Sequence, residues 1–251
     1  MCTVTYIPAG DGFFMTSNRD ESSGRPCAIA PATYSMKTGR LLFPRDAQAG
    51  GTWFAVHENG NTLVVLNGAR VRHQPAPPYR KSRGLIVLEL ADSPDPRQSF
   101  LEMNLDGIEP FTLILAEGRR LHECRWDGTA KETLRIDASQ PHIWSSVTLY
   151  DDAAIAARRA WFRAWMDENP DPSQQEILQF HQSAGDDDRY NGLLMDRDGR
   201  MLTVSISSLQ SSPEAAIMRY LDMQGAGPTD AKNGAPAEER ILFRNATMES
   251  V

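Results

Sequence analysis

The dipeptide Asn59-Gly60 stands between two apolar runs, TWFAVHE and NTLVVLNG, and no other feature constrains the fold of this chain as tightly. Asn-Gly readily takes the positive φ values of a two-residue turn whose twist matches that of paired strands, so the two runs are expected to form a hairpin. The amino terminus repeats the pattern. Cys2 to Ile7 alternates β-forming residues, PAGDG supplies the turn, and FFMTSNR runs back, which brings Asn18, Arg19 and Asp20 beside the start of the first strand.

The pattern changes after Ser82. SRGLIVLELADSP opens with a capping serine, carries an apolar face and stops at Ser93-Pro94, as a helix does. Asp95-Pro96 then reads as an N-cap and first-turn proline of a short helix. Strands return in FTLILAEGRRLHECRW, turning at Glu117-Gly118, and in KETLRI. Asp151-Asp152 introduces the longest helical pattern, AAIAARRAWFRAWMDEN, with Ala154, Ala157, Trp161 and Trp165 on one stripe. Ser173 and Glu176 are spaced as a capping box for EILQFHQ. A last hairpin, GLLMDRDGRMLTVSISSL, turns at Asp198-Gly199, and residues 225–239, rich in Gly, Pro and Ala, are expected to form a mobile loop before a short strand, RILFRN. Strands, then helices, then strands predict an α+β fold of antiparallel pairs with helices on the sheet faces, in one domain spanning residues 1–251.

A net charge of −7 disfavours sequence-independent binding to nucleic acid phosphates or anionic lipid. There is no apolar run of the roughly 20 residues a membrane helix needs and no secretory signal pattern, so a cytoplasmic location is expected. Cys2, Cys27 and Cys124 are an odd number at wide spacing and indicate neither a disulfide framework nor a zinc site. The five histidines show no metal-type spacing, so no metal and no cofactor is expected.

Cys2 stands directly behind the initiator methionine. Removal of methionine before a small residue would leave a chain that begins with a thiol and a free α-amine on one residue. An α-amine has a pKa of about 7.7–8.0 and a thiol about 8.5, so near neutrality a proton can pass between them. Such a residue can attack a carbonyl through sulfur, with the amine taking and returning the proton. A cation beside the sulfur would favour the thiolate, and a carboxylate would hold the amine. Arg19 and Asp20 have the right chemistry. Successive strand residues face opposite ways, which predicts that one of the two lies beyond the strand end. Asn67, at the close of an apolar run and before Gly68, is a candidate oxyanion donor, and Arg189 is a candidate partner for a carboxylate. Asn18, Trp53 and Ser146 are candidates for substrate contact.

Each of these residues has a plainer alternative. Cys2 is also explained as a small buried apolar residue, Arg19-Asp20 as a surface ion pair, Asn67-Gly68 as a turn, and Arg189 as balance for three preceding aspartates. The Trp161 and Trp165 stripe reads as packing.

The ordered set MCTVTYIP, SNRDES with Asn18-Arg19-Asp20-Glu21, Arg25-Pro26, GGTW at Gly50 to Trp53 and LVVLNG resembles the NRDE-motif family, the transport-and-Golgi-organisation proteins. The resemblance implies an N-terminal-nucleophile fold, a four-layer αββα sandwich with two antiparallel sheets. It also implies a distant relation to choloylglycine hydrolases and penicillin V acylases, which cleave amides with an N-terminal cysteine. Carried across on that basis, the nucleophile falls on Cys2, an arginine on Arg19, the amine-orienting aspartate on Asp20, an oxyanion asparagine on Asn67 and a later arginine on Arg189. Where those hydrolases have an asparagine after a middle strand, this chain has Ser145-Ser146, and a serine is shorter and donates one hydrogen bond.

The reading that follows is a cysteine N-terminal-nucleophile amidohydrolase or acyltransferase acting on a small amide or thioester through an acyl-enzyme on Cys2. The alternative, from another class, is a non-catalytic binding or trafficking protein that holds a hydrophobic ligand such as haem or a lipid.

Overall fold

The computed structural model describes residues 3–224 and 237–245. Two seven-stranded antiparallel sheets face one another. The first is built from β1 (Thr3–Ala9), β2 (Gly12–Ser22), β10 (His142–Ser145), β11 (Asp196–Arg197), β12 (Met201–Ser211), β13 (Ala215–Asp222) and β14 (Ala237–Arg244). They run in the order β10-β1-β2-β12-β13-β14, with β11 paired to β12. The second sheet follows chain order: β3 (Ile29–Ser35), β4 (Arg40–Arg45), β5 (Phe54–His57), β6 (Thr62–Asn67), β7 (Phe111–Glu117), β8 (Arg120–Trp126) and β9 (Lys131–Ile136).

Strand alternation separates two cores. Val4, Tyr6, Phe13 and Met15 point between the sheets, into a cluster with Leu41, Leu63, Val65 and Leu113. Ile7 and Phe14 point the other way, into a second cluster with Phe162, Ile177 and Phe180. Helices supply the outer layers. α1 (Arg83–Ala91) and α2 (Pro96–Glu102) bury Ile86, Val87, Leu90 and Phe100 against the second sheet, while α3 (Asp152–Glu168) and α4 (Gln174–Ser183) cover the first. The result is the expected αββα layering.

The helix ends follow the sequence signals. The Ser82, Asp95 and Asp151 side chains accept from the N–H groups of Leu85, Gln98 and Ala154, and Ser173 with Glu176 makes a complete capping box.

Other expectations need correction. The buried line of α3 is Ala154, Arg158 and Phe162, with Trp161 and Trp165 half-buried beside it, so a charged residue sits where the sequence pattern placed only apolar ones. The hairpin at Asp198-Gly199 has only two residues on its first side, because the segment before β11 turns through GDDDRYNG. Of the loop expected at 225–239, residues 225–236 lie outside the described residues. Residues 237–239 open β14, which pairs with β13 over its whole length.

Candidate active site

The chain enters the first sheet beside the NRDE segment, since Thr3 pairs with Asn18. Arg19 and Asp20 both lie inside β2, which runs on to Ser22, so neither is beyond the strand end as the alternation argument predicted. They face opposite layers instead. Opposite them β12 carries a bulge, with Thr203 level with Asp20 and Ser205 level with Arg19.

Arg19 points between the sheets and is 4 % exposed. Its guanidinium carbon lies 4.6 Å from the centroid of the Trp53 ring, and Nη2 donates to Asp46 Oδ2 at 2.7 Å. Asp46 also accepts two hydrogen bonds from Arg25, at 2.9 and 3.0 Å, and backbone N–H groups of Gln48 and Ala49. Burial works to raise the Asp46 carboxyl, but the Arg25 hydrogen bonds, the Ala49 N–H and the two guanidinium charges outweigh it and hold the group below the usual carboxylate range. Arg19 and Asp46 are buried and Arg25 is half-buried, so the three groups form one ion cluster that reaches the solvent side through Arg25. Glu21, at the solvent side, lies 3.8 Å from Arg19 and 3.5 Å from Arg25.

GGTW owes its composition to a helix pressed against it. A Cβ on Gly51 would stand 2.4 Å from the Gly84 carbonyl carbon. The Thr52 N–H donates to the Gly84 carbonyl at 3.1 Å, which fixes the start of α1 over the loop. Asn67 closes β6, and Gly68, at φ +82°, lets the chain turn beneath Val147 and Thr148. These parts enclose a cleft of about 140 Å³ lined by Arg19, Arg25, Asp46, Trp53, Asn67 and Arg83. Among the described residues the Asn67 side-chain amide has no hydrogen-bond partner, and the buried Trp53 Nε1 has none either.

Asp20 points to the helix layer. Its Oδ2 accepts from Tyr150 Oη at 2.7 Å and its Oδ1 from Thr203 Oγ1. Asn18, on the same face, is fully buried and engaged: Nδ2 donates to the carbonyls of His181 and Leu193, and Oδ1 meets His181 Nδ1. That network assigns the His181 proton to Nδ1, leaving Nε2 to accept from Thr5 Oγ1 at 2.7 Å. Burial, with the nearby Arg158 charge, pushes His181 down to about 3, so it is neutral.

The sequence matches the family described as Transport and Golgi organisation 2 over residues 1–215. The chain belongs to that family. No curated protein sequence matches it. Among solved structures it is similar to the N-acylethanolamine-hydrolyzing acid amidase ortholog of Caenorhabditis elegans, with a TM-score of 0.56 and 11% identity over 83% of this chain and 92% of that one. It is also similar to two variants of the conjugated bile acid hydrolase of Clostridium perfringens. One has a TM-score of 0.57 at 12% identity over 96% of both chains; the other has 0.56 at 12%, over 97% of this chain and 98% of that one. At such identities the likeness shows the fold, that of the N-terminal-nucleophile hydrolases.

In this Transport and Golgi organisation 2 member the structure gathers Arg19, Trp53 and Asn67 at one cleft and sets Asp20 on the other side of the same strand. Cys2 lies outside the described residues. Ser146 is buried and donates to the Asn67 carbonyl at 2.8 Å, so its hydroxyl supports β6 and does not line the cleft. Asn18 is likewise used up inside the scaffold, and neither residue is placed for the expected substrate contact. Arg189 is exposed between α4 and β11, apart from the cleft. Sequence reasoning missed Asp46, Tyr150, Thr203, Arg158 and His181. Only Arg158 left a signal, as a charge on the line joining Ala154 to Phe162.

Haem iron needs an axial His, Cys, Met or Tyr, and among the described residues that line the cleft there is none; its volume of about 140 Å³ is also below the about 300–1,000 Å³ usual for small-molecule sites. Among the described residues no group of three or more metal-ligating side chains is placed to hold a metal ion, and no helix is long and apolar enough to cross a membrane.

Proposed function

We propose that this protein is a cysteine N-terminal-nucleophile amidohydrolase or acyltransferase acting on a small amide or thioester, with Cys2 as nucleophile and its α-amine as base. The observation that carries the reading is the convergence of a buried guanidinium, Arg19, and an unengaged side-chain amide, Asn67, on one cleft near the point where the chain enters the sheet. The hydrolase fold of the structural neighbours supports it.

In the proposed reaction the Cys2 thiol proton passes to the neutral amine and the thiolate attacks the carbonyl carbon. The C–S bond forms as the carbonyl electron pair moves to oxygen, where Asn67 donates a hydrogen bond. The oxyanion collapses, the bond to the leaving amine or thiol breaks, and the ammonium proton goes to the leaving group. Water then attacks the thioester, gives one proton to the amine, and sulfur departs and recovers it. Arg19 favours the thiolate, and Asp20 anchors the ammonium. A reducing compartment such as the cytoplasm keeps Cys2 a thiol.

The test is intact-mass measurement of the purified full chain before and after incubation with a panel of N-acyl amides and acyl thioesters. Loss of Met1 and an acyl adduct on residue 2, absent in Cys2→Ala, are expected. A retained Met1, or no adduct with any member of the panel, overturns the proposal. A co-purifying coloured or lipidic ligand on unmodified protein would favour the carrier instead.

A further inference from the structure

Asp20 is held by groups that are themselves held in an unusual way. Among the described residues Tyr150 Oη has Asp20 Oδ2 at 2.7 Å and Met195 Sδ at 3.4 Å as acceptors in reach. A carboxylate is far the stronger acceptor, so the phenol proton goes to Asp20. Thr203 Oγ1 likewise has Asp20 Oδ1 and the Leu193 carbonyl before it, while accepting from the Met195 N–H at 2.8 Å. The ionised acceptor again wins. Among the described residues, Asp20 thus takes a directed hydrogen bond on each oxygen, one from a loop and one from the bulged strand.

The Tyr150 ring lies under a guanidinium. Arg158 has its central carbon 3.5 Å from the ring centroid, and Arg197 has its own at 5.2 Å. Arg158 is completely buried and, among the described residues, has no carboxylate partner. Its donors go to Thr3 Oγ1 and to the carbonyls of Asn191 and Gly192. Burying a cation without a counter-ion is expensive, and a helix that needed only packing would carry an aliphatic residue between Ala154 and Phe162. This charge ties the first described residue of β1 to the loop before β11, and it draws electron density from the phenol that donates to Asp20.

We propose that Tyr150, Arg158 and Thr203 are positioning residues that partly neutralise the Asp20 carboxylate and so keep the proton affinity of the α-amine anchored on it low enough for a neutral base. This rests on the reading of Cys2 and Asp20 given above. The sign follows from electrostatics. A bare carboxylate beside an ammonium favours the charged form, and hydrogen bonds donated to the carboxylate weaken that field. Removing a donor raises the amine pKa. Other charged or titratable groups on the elements of this layer are Asp152 on α3, Asp196 and Arg197 on β11, Asp188 in the loop before it and neutral His181 on α4, while Arg19 and Glu21 on β2 face the other side of the strand. None of them is altered by the variants below.

The experiment titrates the α-amine at residue 2 by competitive acetylation with acetic anhydride across pH, read by mass spectrometry of the terminal peptide. Wild type, Tyr150→Phe and Thr203→Val are compared as full chains. Tyr150→Phe keeps the ring under Arg158 and loses only the hydroxyl. Its amine is expected to titrate about 0.5–1 pH unit higher than wild type, with the acid limb of kcat moving the same way and KM little changed. Thr203→Val is expected to shift in the same direction, and it carries the test if the first variant does not fold. Identical titration in wild type and variants, with or without lower activity, makes these residues structural and overturns the inference. A shift in titration without any acyl adduct in wild type would sink the hydrolase reading alone and leave the positioning intact.

Discussion

The backbone of Gly51 lies so close to Gly84 that a methyl group on Gly51 would stand 2.4 Å from the Gly84 carbonyl carbon and 2.6 Å from the Leu85 nitrogen. Gly84 in turn would place a methyl 2.8 Å from the Thr52 carbonyl oxygen. Two glycines from distant parts of the chain thus allow helix α1 to rest on the loop that carries Trp53, and Trp53 is the surface on which Arg19 stacks. Packing between the helix and that loop therefore sets the shape of the cleft.

Gly51→Ala is expected to force α1 and the loop apart, because the atoms in conflict are backbone and cannot rotate away. Overpacking of this kind costs about 1–3 kcal/mol, read as a lower urea midpoint with an unchanged slope. Gly24→Ala is the control: its nearest neighbour would be the Ser22 hydroxyl at 3.9 Å, and its effect should stay within about 0.5 kcal/mol. Equal midpoints for the two variants would refute the claimed contact.

His181 supplies a pH dependence with a definite sign. Burial, then the Arg158 charge, holds its folded pKa at about 3, against about 6.5 in an unfolded chain. The unfolded state therefore binds the proton first. The contribution is complete above about pH 6.5 and is lost as pH falls toward 3, reaching about 2 kcal/mol at pH 5. Urea midpoints measured from pH 7.5 to 4.5 should fall in wild type and fall less in His181→Gln, which starts from lower stability because it breaks the bonds to Asn18 and Thr5. Parallel slopes for the two proteins would show that His181 is not the group being protonated.

What the sequence revealed divides along physical lines. Local chemistry was legible: Ser82, Asp95, Asp151 and the Ser173-Glu176 pair cap helices because capping is decided within four residues. Asn59-Gly60 lies in the β5–β6 hairpin as expected, although Gly60 alone takes a positive φ and the loop closes between His57 and Asn61, one residue longer than a two-residue turn. Arg19, Trp53 and Asn67 were legible as a set because they sit within recognisable short motifs. The partners of those residues were not. Asp46 reaches Arg19 across the gap between sheets, Tyr150 reaches Asp20 over 130 positions of sequence, and Thr203 over 183. No local pattern encodes such pairs. Arg19 and Asp20 were misplaced relative to the strand end because β2 is unusually long and the irregularity that accommodates them is a bulge in β12, on the other side of the hydrogen bonds. Ser146 and Asn18 were assigned to substrate because a polar residue near a motif looks available until its hydrogen bonds are counted.

Arg19 offers the sharpest test of the chemistry proposed for the cleft. Its guanidinium carbon lies 4.6 Å from the Trp53 ring centroid while Nη2 donates to Asp46, an arrangement suited to a delocalised, forked cation. Lysine keeps the charge on a flexible stem and cannot stack in the same way, so Arg19→Lys should loosen the cation from its place beside the proposed nucleophile. The readout is the pH dependence of iodoacetamide labelling, followed peptide by peptide. Cys27 is exposed and serves as an internal reference, while Cys124 is buried, with its thiol pushed up to about 11 by desolvation, and should remain unlabelled in the native protein. In wild type residue 2 should label with a midpoint below that of Cys27. In Arg19→Lys that midpoint should rise by about 0.5–1 pH unit, with Cys27 unmoved. If residue 2 and Cys27 titrate together in wild type, no cation acts on the sulfur, and Arg19 is left as a clamp between the sheets.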